Sequence, residues 1–64
     1  MKMTFKFQEE ADKEVKITIR ELISSETGLI PSTNNDFSEL TIETEDENIR
    51  DRIIGISKGW LTAK

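Results

Sequence analysis

The residues best equipped for chemistry in this chain are carboxylates. Asp36, Glu39, Glu43, Glu45, Asp46, Glu47 and Asp51 fall within one sixteen-residue stretch, with only Arg50 to oppose them. Paired acids such as Glu45 and Glu47 act as general acid and base only in a cleft that drives their pKa values apart. The chain has no histidine and no cysteine, so it offers no imidazole base, thiol nucleophile, Cys/His zinc site or disulfide. Asp36 to Glu47 is rich in oxygen ligands but lacks Asp-x-Asp-x-Asp-Gly spacing, and its middle, Leu40-Thr41-Ile42, reads as strand. These features predict a non-enzyme without metal or cofactor. Two roles remain for the acids. One is helix capping and solubility. The other is phosphate mimicry, in which carboxylates along a strand end and a helix start fill a groove that otherwise holds nucleic acid, through salt-sensitive contacts.

The elements that must position this block follow from hydrophobic periodicity. Met3-Thr4-Phe5-Lys6-Phe7 alternates strictly, the period of a half-buried strand. Polar Gln8 to Glu14 reads as a hairpin loop, and Val15-Lys16-Ile17-Thr18-Ile19 resumes the alternation. Thr18-Ile19-Arg20-Glu21 also fits a capping box, which leaves open a short helix stopped by Gly28; strand followed by irregular chain is the reading adopted. Pro31 and Asn34-Asn35-Asp36 mark a break and a turn. Leu40 to Thr44 supplies a third strand and runs into Thr44-Glu45-Asp46-Glu47, a second capping box. Ile49, Ile53, Ile56 and Trp60 then form one helical stripe, widened by Ile54 and Leu61. Gly59 reads as the helix stop, and Gly55 as a close approach to the sheet.

The expected fold is therefore α+β in a single domain spanning residues 1–64. It comprises a three-stranded antiparallel sheet (β-β-β; residues 2–8, 14–20 and 39–44) with one C-terminal helix (45–58) on one face. Its core comprises Met3, Phe5, Phe7, Val15, Ile17, Ile19, Leu40, Ile42, Ile49, Ile53, Ile56 and Trp60. Sixty-four residues with a net charge of −4 can cover about one sheet face. No apolar run approaches a membrane span and the first residues lack a signal peptide's apolar middle, so a cytoplasmic monomer is expected. The run TIRELISSETGLIPST has some features of a helix-turn-helix. Its spacing is one residue too long, Pro31 would interrupt the second helix, and Arg20 is its only base. The charge of −6 over 36–51 speaks against direct binding of nucleic acid, which needs a basic patch.

From Asn34 to Trp60, NNDFSELTIETEDENIRDRIIGISKGW resembles the small prophage anti-CRISPR proteins that inhibit the RNA-guided nuclease of type II CRISPR systems. The shared order is Asn34-Asn35-Asp36, Glu39, a strand ending at Ile42, the acidic stretch Glu43–Glu47, the Ile49 and Ile53 helix, and Lys58-Gly59-Trp60. The resemblance implies a non-catalytic inhibitor from a phage or mobile element whose acids occlude the nuclease's PAM-reading cleft. The partner-binding residues it implies are Asn34, Asn35, Asp36 and Glu39, with Glu45, Asp46 and Glu47. The chain departs from that family in starting with a strand rather than a helix. The alternative is an interaction domain that docks a partner through a sheet edge or apolar surface. Acids gathered on one face would favour mimicry, and acids scattered around the fold would favour the alternative.

Overall fold

The computed structural model describes residues 1–64. The order of elements is β1 (Lys2–Phe7), α1 (Lys13–Thr27), β2 (Ser32–Thr33), β3 (Glu39–Glu43), α2 (Ile49–Ser57) and β4 (Leu61–Ala63). The strands form one antiparallel sheet in the order β2-β3-β1-β4. This is the split βαβ, ferredoxin-like arrangement of a β-α-β-β-α-β chain. The α+β class agrees with the sequence reading, but three strands with one helix is corrected to four strands with two helices.

The largest correction concerns residues 14–20. They belong to α1 and not to a second strand. Val15, Ile19, Leu22 and Ile23 satisfy a helical repeat as well as Val15, Ile17 and Ile19 satisfy a strand repeat, and the ends decide between the two. The Asp12 carboxylate accepts a hydrogen bond from the Val15 N–H at 2.9 Å, which caps the helix start. Gly28, with φ 75°, closes the other end by donating its N–H to the Ser24 carbonyl. Thr18-Ile19-Arg20-Glu21, read as a capping box, therefore lies inside the helix. Ile19 and Ile23 are buried, whereas Ile17 is 41% exposed. No recognition helix follows, because Ser32–Thr33 is a strand, so the helix-turn-helix geometry is absent.

The second capping box is also corrected. The Thr44 hydroxyl accepts from the Asp46 N–H, and Asp46 Oδ1 accepts from the Asn48 N–H. These two turns carry the chain past residues 45–48, and α2 begins only at Ile49. It ends with Lys58 and Gly59 both left-handed, at φ 53° and 90°, and the chain reverses into β4. Leu61 is thus a sheet residue, not part of the helical stripe. Gly55 makes no close approach: a Cβ there would meet nothing within 4 Å.

Both helices cover the same sheet face. Met3, Phe5, Phe7, Leu40, Ile42 and Leu61 from the strands meet Ile19, Ile23, Ile49 and Ile53 from the helices, with Ala11 completing the cluster. Each such side chain, fully buried, contributes about 1.5–3 kcal/mol. Val15, Ile56 and Trp60 are only partly buried against this core, while Ala11, Ile23, Leu61 and Pro31 join the buried set. The Arg52 guanidinium donates to the Glu26 carbonyl at 3.0 Å and so ties the last turn of α1 to α2. No helix is long and apolar enough to cross a membrane.

Candidate functional site

β3 divides the acidic block. At about 3.4 Å per residue, Glu39 and Glu43 stand roughly 14 Å apart at its two ends. Asn34, Asn35 and Asp36 lie beyond the first end, in the β2–β3 hairpin, and Glu45, Asp46 and Glu47 lie beyond the second.

The hairpin tip is held by its own side chains. Asn34 Oδ1 accepts the Glu39 N–H, and Asn34 Nδ2 donates to the Ser38 hydroxyl, each at 3.0 Å. Asp36 Oδ1 accepts the Ser38 N–H at 3.0 Å. Ser38, through its hydroxyl and then its backbone N–H, holds the Asp36 carboxyl below its ordinary value. Asn34 and Asp36 thus serve the turn, and Asn35 makes no side-chain hydrogen bond. The turn forces Phe37 to φ 59°, a conformation a bulky residue rarely adopts, and leaves it 41% exposed. Lys13 and Lys16 of α1 face this tip across a cleft they share with Asn35, Asp36 and Phe37.

The middle of the block is electrically occupied. The sheet face opposite the helices carries Lys2, Thr4 and Lys6 from β1 and Glu39, Thr41 and Glu43 from β3. The register sets Lys2 opposite Glu43 and Lys6 opposite Glu39. Glu39 also pairs with the Lys64 ammonium, and the N-terminal ammonium lies 3.6 Å from Glu43. Opposed charges at such positions support a sheet by about 0.2–1 kcal/mol per pair. The face lacks the aromatic side chains on which a sheet stacks unpaired bases.

The far end differs. Glu45, Asp46, Glu47 and Asp51 are exposed, and none takes part in an ion pair. Only the Asp46 carboxylate is engaged, on the Asn48 N–H at 2.9 Å. These four acids surround the start of α2, where the exposed N–H groups favour negative charge. Nowhere do three carboxylates converge closely enough to ligate a metal ion.

The structure therefore brings together Asn34, Asn35, Asp36 and the head of β3 at one end, and Glu45, Asp46 and Glu47 at the other. It does not gather all seven on one surface. Sequence reasoning missed Phe37, Lys13 and Lys16 at the hairpin tip. The lysines were legible only once Lys13–Lys16 was seen as the first turn of a helix. It also missed a cleft of about 360 Å³ between the helices, where Val15, Leu22, Ile56 and Trp60 meet. Comparison with protein-family models, curated proteins and solved structures finds no match for the chain.

Proposed function

We propose that the chain is a non-catalytic protein-binding module that presents the carboxylates of the β3–α2 connection and of the first turn of α2 to a basic, nucleic-acid-binding surface of another protein. One observation carries the reading. Glu45, Asp46, Glu47 and Asp51 are exposed without a cationic partner in the chain, whereas Glu39 and Glu43 already face lysines or the N-terminal ammonium. Unpaired exposed carboxylates steer an encounter with arginines and lysines and form charge-assisted hydrogen bonds on arrival.

The anti-CRISPR resemblance supplies the kind of target, the PAM-reading cleft of a type II CRISPR nuclease, and a phage or mobile-element setting. Asn35, with Asn34 and Asp36, would be a second contact of the same module only for a partner long enough to follow β3 from end to end. The decisive experiment measures DNA binding by the guide-loaded nuclease at low salt, with the protein and with its E45Q/D46N/E47Q/D51N variant. Competition by the parent that the variant loses supports the proposal. No competition removes the nuclease as target, and undiminished competition by the variant removes the carboxylate mechanism.

A further inference from the structure

The hairpin tip poses a different question, independent of the acidic connection. Phe37 sits at φ 59°, where glycine or asparagine would be free of strain. Its ring is also left substantially exposed, outside the buried core. Four hydrogen bonds hold the turn that imposes this: Phe37 N–H to the Asn34 carbonyl, Ser38 N–H to Asp36, Glu39 N–H to Asn34, and Asn34 to the Ser38 hydroxyl. Neither turn geometry nor core packing calls for an aromatic residue at this position. Backbone strain that its surroundings over-determine is characteristic of positions that act on something else.

The cleft beside the ring gives that something a charge. Lys13 and Lys16 line it, and neither belongs to an ion pair. The Lys16 ammonium lies 5.6 Å from the centre of the Phe7 ring, within the range of a cation–π contact. One carboxylate, Asp36, shares the cleft and feels the Lys16 charge, but it accepts from the Ser38 N–H and forms no ion pair with either lysine. Two ammonium groups against one carboxylate leave the cleft with a net positive charge beside an apolar ring, within a chain of net charge −4.

We propose that the β2–β3 hairpin tip is a docking site in which Phe37, Lys13 and Lys16 receive an acidic segment of a partner protein, a carboxylate on the two ammonium groups and a neighbouring apolar side chain against the Phe37 ring. Two lysines are too few to hold a nucleic-acid duplex. Phenylalanine is among the side chains enriched in the cores of protein interfaces, and charged groups belong to their rims.

The probe is a display library of random short peptides, selected against the immobilised full chain. Enriched peptides should place Asp or Glu beside Phe, Leu or Trp. Affinity of a representative peptide should fall about tenfold or more for F37G and for K13Q/K16Q, and should be unchanged for E45Q/E47Q. F37G should melt at a higher temperature than the parent because it relieves the left-handed backbone, so loss of binding cannot be loss of fold. F37N, with a side chain that tolerates the same φ, should behave likewise. Absence of enrichment, enrichment of peptides without acids, or parental affinity for F37G would overturn the proposal. So would a lower melting temperature for both F37G and F37N, since the ring would then be serving the fold.

Discussion

Glu43 and Glu45 are two residues apart and have different electrical surroundings. Glu43, with Glu39, belongs to a sheet whose register sets lysines opposite both, and the chain's own ammonium groups approach them. Glu45, with Asp46 and Glu47, belongs to a connection that the sheet has already left behind, Asp51 stands in the first turn of α2, and no cation of the chain approaches any of them within ion-pairing distance. A stretch that looks uniform as a run of letters is thus two surfaces. Net charge over a window measures neither. What matters for recognition is which acids the fold has left unanswered.

The comparison presupposes one core holding both surfaces in place, and the most severe test addresses that core. Ile53→Asp would set an unpaired charge in the buried cluster that the two helices form with the sheet, at a position with no exposure. Such a burial costs about 3–5 kcal/mol, comparable to the whole stability of so small a domain. The variant is expected to lose its cooperative melt in circular dichroism, and a native-like transition would show that α2 turns a different face to the sheet.

Next in size is the difference between the two sets of acids as binding groups. Changing Glu45, Asp46, Glu47 and Asp51 to their amides is expected to leave the melting temperature within a few degrees of the parent and to abolish competition for the nuclease. Changing Glu39 and Glu43 to glutamine is expected to do the converse. It should cost under about 1 kcal/mol of stability, a loss that shrinks with added salt, because exposed pairs are weak and screened. Competition should persist in that variant. If both variants compete equally, the division of the block has no functional meaning.

The smallest effect concerns Asp36, which is fully exposed but hydrogen-bonded. Its carboxyl titrates below the ordinary 3.8 in the folded chain. It therefore stabilises the fold above that ordinary value, and the contribution is lost as pH falls through the lower folded value. Asp36→Asn should flatten this part of the acid limb of a melting-temperature profile, leaving the neutral plateau in place. An unaltered acid limb would mean that the Ser38 hydrogen bonds do not favour the ionised form.

How much of this was legible in the sequence depended on whether local and long-range signals agreed. For β1, β3 and the Ile49 and Ile53 stripe they did, and the expected strands, helix face and most core residues are observed. Val15 to Ile19 carried two periodicities at once. The deciding facts are the Asp12 cap, passed over within an assumed hairpin loop, and the Gly28 stop, weighed only for a short helix begun at Thr18. β4 is three residues long and has no pattern of its own; it exists because β1 offers an open edge to Leu61–Ala63. At the site, the acids were visible as letters, but their division was not, since it rests on the β1–β3 register. Phe37 gave no signal beyond its place after Asn-Asn-Asp. Its left-handed backbone follows from hydrogen bonds that only the folded turn reveals.

The position of β1 also governs the order in which this domain can assemble. β1 precedes the other three strands in sequence yet lies in the middle of the sheet, with Phe5 opposite Leu40 on one side and Ala63 on the other. Both neighbours arrive late, after long loops whose closure entropy must be met before the pairing gives anything back. β1 and α1 alone therefore leave Phe5 and Phe7 without their strand neighbours Leu40 and Leu61. Folding is slower than for a helical bundle of this size, and a chain cut before Leu61 keeps an open strand edge beside β1.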